Sequence, residues 1–257
     1  MIDFLIYLLV AFGATFIGAM AGLGGGVIIK PLLGILNDYS VANINFLAGC
    51  TVFTMALVST LRAGKRKEEL FTDKSILLII GSIIGGFIGA TLFNNLIENV
   101  SNEQIIVTIQ SGLLIGLFIF VLVVRKINPQ INLKLNKAHL LLSGIIMGMT
   151  AAFLGIGGGP VNMIVLLILF RYSVKDAVVT STLIILFAQL TSILTTLFTV
   201  DMIDYQLEML MVMIPGAIIG GILGSKFVSK FNENTLSKIF NVTITSLIFI
   251  TAFQIFI

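Results

Sequence analysis

From Ile105 to Val124 the chain runs without a charged residue, about the length of predominantly apolar sequence that an α-helix needs to cross a bilayer. Five more segments are as long and predominantly apolar, with Lys74 at an edge their one charged residue: 43–61, 74–93, 177–199, 209–225 and 239–257. A soluble domain carries about a quarter charged residues, whereas this chain of 257 has 11%, against 58% hydrophobic. That leaves too little polar side chain to coat a globule. The expected fold is an all-α polytopic membrane protein, multi-pass in the cell membrane with the lipid bilayer as its surroundings.

The remaining composition narrows the function. A net charge of +3 would suit a nucleic-acid partner, but the basic residues sit in short loops between apolar runs. No basic stripe interleaves with aromatics, so no nucleic-acid partner is expected. Cys50 is the only cysteine, which excludes an intramolecular disulfide and a Cys-x-x-Cys metal site. The early Ala19-x-Ala21 pattern imitates a signal-peptide cleavage site. Asp3 is the only early charge and no basic segment precedes the apolar run, so retention is expected.

Four shorter apolar segments, 4–20, 27–36, 140–154 and 160–170, flank two glycine clusters. Gly22-Leu23-Gly24-Gly25-Gly26 matches Gly155-Ile156-Gly157-Gly158-Gly159 at an offset of 133 residues, Gly22 to Gly155. "GSIIGGFIGA" from Gly81 matches "GAIIGGILGS" from Gly216 at 135, in the same order. Such agreement indicates duplication within one domain spanning 1–257. Repeat one covers about 1–127 and repeat two about 138–257, with a cytoplasmic linker between them.

Equivalent loops carry opposite charge. Arg62, Lys65, Arg66, Lys67 and Lys74 follow the third segment of the first half, where the second half has Asp201, Asp204 and Glu208. Glu98 and Glu103 likewise correspond to a stretch with Lys226, Lys230 and Lys238. Basic loops face the cytoplasm, so the halves are expected to be inverted repeats. Inversion needs an odd number of crossings, met if each half is a Gly-tipped helical hairpin plus three transmembrane helices. Arg125, Lys126, Lys134 and Lys137 before the second hairpin, and Arg171 and Lys175 after it, place both its ends inside. The alternative is eight ordinary spans, with each glycine cluster a kink in one long helix.

A hairpin tip at Gly24, Gly25 and Gly26 exposes backbone N–H groups at the start of the next helix, which favours anions. Gly157, Gly158 and Gly159 form a second tip expected to face the first. The competing reading is close packing, preferred for Gly81, Gly85 and Gly89 and for Gly216, Gly220 and Gly224. Neither cluster forms a nucleotide-binding loop. The long spans lack central carboxylates, which disfavours proton relays and hard-cation sites. His139 reads as interfacial, and no nucleophile–histidine pair lies at membrane depth, so no catalytic residue, metal site or cofactor is assigned. Cys50, Thr51 and Thr54 after the first hairpin, and Thr180, Ser181, Thr182 and Gln189 after the second, are the candidate anion ligands. Lys30 and Arg171 are expected at the outer hairpin ends. Without a charged residue at mid-span, the helix starts offset about one charge, which favours a monoanion, or a dianion arriving with a co-ion, over a bare dianion.

The pair "GLGGGVIIKP" and "GIGGGPVN", each followed by a Thr/Ser/Cys-containing helix and a Gly-x-x-x-Gly-rich span, resembles the TauE/SafE family of sulfite exporters over essentially the whole chain. The first half departs from the family's usual Thr-Ser pattern with Gly49-Cys50-Thr51, which leaves the particular substrate open. The resemblance implies a membrane transporter of sulfite, sulfoacetate or other sulfur-containing anions. The reading is a secondary transporter of a small anionic substrate by alternating access, with room for a coupling ion and for a homo-oligomer. A passive anion channel and a soft-metal exporter are the alternatives.

Overall fold

The computed structural model describes residues 2–36, 39–63, 72–100, 102–127, 129, 136–200 and 205–255. Among them every regular element is helical. The first half holds α1 (Ile2–Ala21), α2 (Gly26–Leu36), α3 (Val41–Arg62), α4 (Asp73–Asn99) and α5 (Glu103–Ile127). The second repeats that order: α6 (Lys137–Leu154), α7 (Gly159–Ile164) running into a π-helical turn (Val165–Leu169), α8 (Val174–Thr199), α9 (Leu210–Lys230) and α10 (Glu233–Ile255). Lys65, Arg66, Lys67, Lys134, Asp201 and Asp204, and most of the linker between halves, lie outside the described residues.

Short polar side chains start the helices. Ser40 and Ser173, at matching points of the two halves, accept hydrogen bonds from the Asn43 and Asp176 backbones to begin α3 and α8. Asn136 and exposed His139 form a capping box at α6. Arg125 and Lys126 close α5, where the dipole favours cations.

Among the described residues eight helices are long and apolar enough to cross a membrane, two more than the six expected. The added pair are α1 and α6, the first limbs of the hairpins. The chain nonetheless turns back at each glycine cluster. Gly25 packs against Ala14 and Thr15, and Gly158 against Met147 and Ala151. Residues eleven apart in a continuous helix would be about 16 Å apart, so a simple kink does not describe either cluster.

Close backbone approach joins the halves. On α4, Gly81, Gly85 and Gly89 pack against the backbone carbonyls of Leu141, Ile145 and Met149 on α6. On α9, Gly216, Gly220 and Gly224 meet those of Leu8, Phe12 and Phe16 on α1. The fourth helix of each half therefore holds the first hairpin limb of the other. Gly86 and Gly221, one step around the same helices, pack on Ala188 of α8 and Met55 of α3. This confirms the packing role expected for these rows, because lipid provides no hydrophobic drive and helices associate through small residues.

Gly85→Val should force α4 from α6, since its side chain would occupy the space of the Ile145 carbonyl. The expected loss is about 1–3 kcal/mol, read as a lowered thermal midpoint in detergent. Gly112→Ala, which meets open space, should stay within about 0.5 kcal/mol of the parent.

Candidate functional site

Each tip begins where a first limb ends in a left-handed glycine. Gly22 (φ 68°) and Gly155 (φ 65°) take that conformation, followed by Gly24 and Gly25 in one half and Gly157 and Gly158 in the other. At Gly22 the Leu23 N–H donates to the Gly18 carbonyl at 2.9 Å, closing the Schellman turn. A side chain in this conformation costs about 1–2 kcal/mol, which explains glycine at these positions.

The two tips meet. A methyl group at Gly24 would lie 3.4 Å from the Gly157 Cα and 3.2 Å from Ile185 Cδ1. One at Gly157 would lie 3.5 Å from the Gly24 Cα and 3.0 Å from Val52 Cγ1. Val52 and Ile185 stand near the middles of α3 and α8, so the tips touch halfway along both helices. Gly26 packs on Gly155 and Ile156, and Gly159 on Leu23. All six glycines are buried. Gly25 and Gly158 face their own hairpin limbs; Gly24 and Gly157 face the partner tip.

The candidate hydroxyls divide. Thr51, Thr54 and Thr182 donate to the carbonyls four residues earlier, at 2.7, 2.9 and 2.8 Å, the usual local bond of a transmembrane hydroxyl. Ser181 donates to the Gly22 carbonyl at 2.7 Å and so braces the first tip from α8. Gln189 reaches the Ala151 carbonyl at 3.4 Å, on the limb before the second tip. Thr180 is buried with no partner for its hydroxyl, and Cys50 is half-buried. The two polar groups are not in register. In the offset of the tips, Thr180, Ser181 and Thr182 match Leu47, Ala48 and Gly49, about one helical turn before Cys50 and Thr51.

Two buried residues add to this set. Lys30, expected at an outer hairpin end, is 6% exposed. Its Nζ donates to the Leu154 carbonyl at 2.8 Å and to Asn45 Oδ1 at 2.9 Å, and stands 5.3 Å from the Phe93 ring. A lysine of the first hairpin thereby caps the last residue of α6, where the second tip begins. A cavity of about 110 Å³ opens beside it, lined also by Glu103, Gln110 and Ser111. Asn162, one turn after the second tip, is fully buried with both amide atoms unpartnered. A polar residue inside an apolar run just past each glycine cluster is the signal that could have singled out both. Arg171, by contrast, is exposed at the far end of its hairpin. Among the described residues no three His, Cys, Asp or Glu side chains gather as metal ligands.

The chain matches the family profile described as "Sulfite exporter TauE/SafE" over residues 7–250. It belongs to that family. This TauE/SafE protein is 27% identical to a probable membrane transporter protein of Methanocaldococcus jannaschii, over 94% of its own length and 91% of the relative's. It is 26% identical to another from Bacillus subtilis, over 94% of each. No solved structure matches it. The protein is a multi-pass membrane transporter, as the resemblance implied.

Lys30→Met should leave the Leu154 carbonyl and the Asn45 amide oxygen without their donor, at a cost of about 1–3 kcal/mol. Met163→Leu, at the matching place of the second half, should cost less than about 1.5 kcal/mol. Thermal unfolding of the purified variants checks both.

Proposed function

We propose that this TauE/SafE protein is a secondary transporter of small anions, sulfur oxyanions and organosulfonates above all, that works by alternating access between the two glycine tips. The observation that carries the reading is Lys30. A buried amine beside the tip junction, hydrogen-bonded only to neutral oxygens, favours a negative ligand. The start of α2 adds about half a charge, and Thr180 and Asn162 hold unpartnered polar groups near the tips. With Lys30 at this depth the basis for a monoanion limit disappears, and sulfite and sulfonates both fit.

Touching tips favour a carrier over an open pore, because the path is closed at its centre. The swapped pairing of α1 with α9 and α4 with α6 supports two halves with opposite orientations. That reading puts Lys230 inside and Glu98 outside. In a Cys50→Ala background, an impermeant thiol reagent should label Glu98→Cys but not Lys230→Cys from outside; the reverse, or labelling of both, refutes inversion.

Transport is tested in proteoliposomes with sulfite, a small sulfonate, sulfate and Ni²⁺. Saturable sulfite or sulfonate counterflow is expected. Single-channel currents would replace the carrier by a pore, and Ni²⁺ flux without any anion flux would replace the substrate class. Gly157→Ala, which thrusts a methyl group between the tips, should lower anion flux at least tenfold while the protein still elutes as one folded species. Unchanged flux would remove the tips from the path.

A further inference from the structure

Two cavities flank the antiparallel pair α3 and α8, one at each end. The first, about 230 Å³, lies where α3 ends and α8 begins, and is walled on its third side by the end of α9. The second, about 10 Å³, lies where α3 begins and α8 ends, beside the end of α4. Under the offsets that relate the repeats, eight of the ten residues lining the small cavity correspond to residues lining the large one. Ser192 matches Ser59, Phe46 matches Val179 and Asn94 matches Ser229. These are the same place in each half, open in one and shut in the other. About 10–15 Å³ of such space holds one water, so the small cavity is closed to any ligand, while the large one has room for a small anion and several waters.

Each cavity leads to one tip. Val178, on the wall of the large cavity, packs against Gly22 of the first tip. Its counterpart Asn45, on the wall of the small one, packs against Gly155 of the second. The shut side is held by polar and aromatic contacts. Lys30 binds Asn45, Asn94 Nδ2 donates to Thr199 Oγ1 at 3.0 Å, and Tyr205 stands edge-on to Phe46 with ring centres 5.6 Å apart. Burial pushes the Tyr205 phenol above its usual range, so this lid is uncharged. On the open side Val179 and Ser229 replace Phe46 and Asn94 with smaller side chains.

The open cavity is built for an anion. Among the described residues, Arg62 and Lys226 line it and no carboxylate does. Thr60, also on its wall, is 4% exposed with an unpartnered hydroxyl, and Ser59 bonds loosely, at 3.4 Å to the Gly221 carbonyl and 3.6 Å to Met55 Sδ. We propose that this cavity is the open, anion-accepting vestibule of the transport path, and that the collapsed cavity beneath Tyr205 is its repeat-related counterpart in the shut form. The two exchange states when the tips pass an anion: the Asn45, Asn94 and Tyr205 contacts release, and the Arg62 side closes. The ligand class is a small oxyanion taken by a cationic mouth and a hydroxyl lining. This rests on the carrier reading above and adds where the anion enters and which contacts form the gate.

The test uses the full-length protein with Cys50→Ala. Ser59→Cys and Ser192→Cys place one thiol in each cavity. Ser59→Cys should react with an anionic thiosulfonate reagent at least tenfold faster than Ser192→Cys. It should also react severalfold faster with that reagent than with its cationic analogue at low salt. Arg62→Gln with Lys226→Gln should remove the second preference, and methanesulfonate should slow the reaction. (Sulfite itself consumes thiol reagents.) Next, Phe46→Val with Asn94→Ser gives the shut side the residues of the open one. Ser192→Cys reactivity should then rise at least fivefold while that of Ser59→Cys falls. Should that variant not elute as a folded species, Tyr205→Leu serves the same purpose.

Equal reactivity of the two thiols in the parent, or a rise at Ser192→Cys with no fall at Ser59→Cys, overturns the exchange. Equal reaction with both reagents at Ser59→Cys overturns the anion vestibule. The accessibility readout needs no transported solute. An exchange of reactivity without anion flux would therefore refute the substrate class and keep the path. Anion flux without the exchange would refute the path and keep the substrate class.

Discussion

Backbone packed on backbone is the contact from which the arrangement follows. Where α4 lies on α6 and α9 on α1, glycines bring one helix onto the carbonyl oxygens of the next. In hydrocarbon there is no gain from hiding apolar side chains, so association draws on van der Waals contact and polar pairing, and both grow as helices approach. Because each contact joins the first limb of one hairpin to a helix of the other half, the hairpins are carried to a common point. The tips touch there, midway along α3 and α8. Wider spacing at either glycine row would draw the tips apart before any residue at the tips was changed.

Placing polar groups at that depth is costly unless they are paired, and the protein pairs most of them internally. Thr51, Thr54 and Thr182 bond to their own helices, Ser181 to the Gly22 carbonyl and Lys30 to the end of α6. Much of what reads as ligand chemistry in one dimension is therefore scaffolding. The residue types suited to an oxyanion are also those that satisfy irregular backbone in a membrane. The unsatisfied remainder, Asn162, Thr180 and Thr60 among them, is where a ligand has something to gain.

The halves share a backbone plan but not a lining. Lys30 stands where the other half has Met163, Phe46 where it has Val179, and Asn94 where it has Ser229. The carrier proposed above needs two states within a few kcal/mol of one another. A duplicated skeleton supplies two arrangements of nearly equal packing, and a handful of unequal side chains sets which one prevails. In that proposal the polar and aromatic contacts gathered on one side account for the side that is shut.

The sequence by itself determined the class and most of the spans, and it carried the paired glycine blocks on which the repeat reading rests. Long uncharged runs in a chain with few charges admit only membrane-spanning helices, and matched glycine blocks mark repeated backbone geometry wherever they fall. The glycine rows Gly81–Gly85–Gly89 and Gly216–Gly220–Gly224 were legible as packing faces for the same reason: a four-residue spacing of small residues lines one side of one helix. Local pattern did not reveal partners. That Lys30 is buried, that Ser181 braces Gly22, and that Gly24 faces Gly157 while Gly25 faces its own limb depend on which helices come together. So do the two unequal cavities, each assembled from helices distant in the chain. Apolar periodicity says how a segment meets lipid, but the depth and company of one polar residue are set by neighbours that only the folded chain supplies.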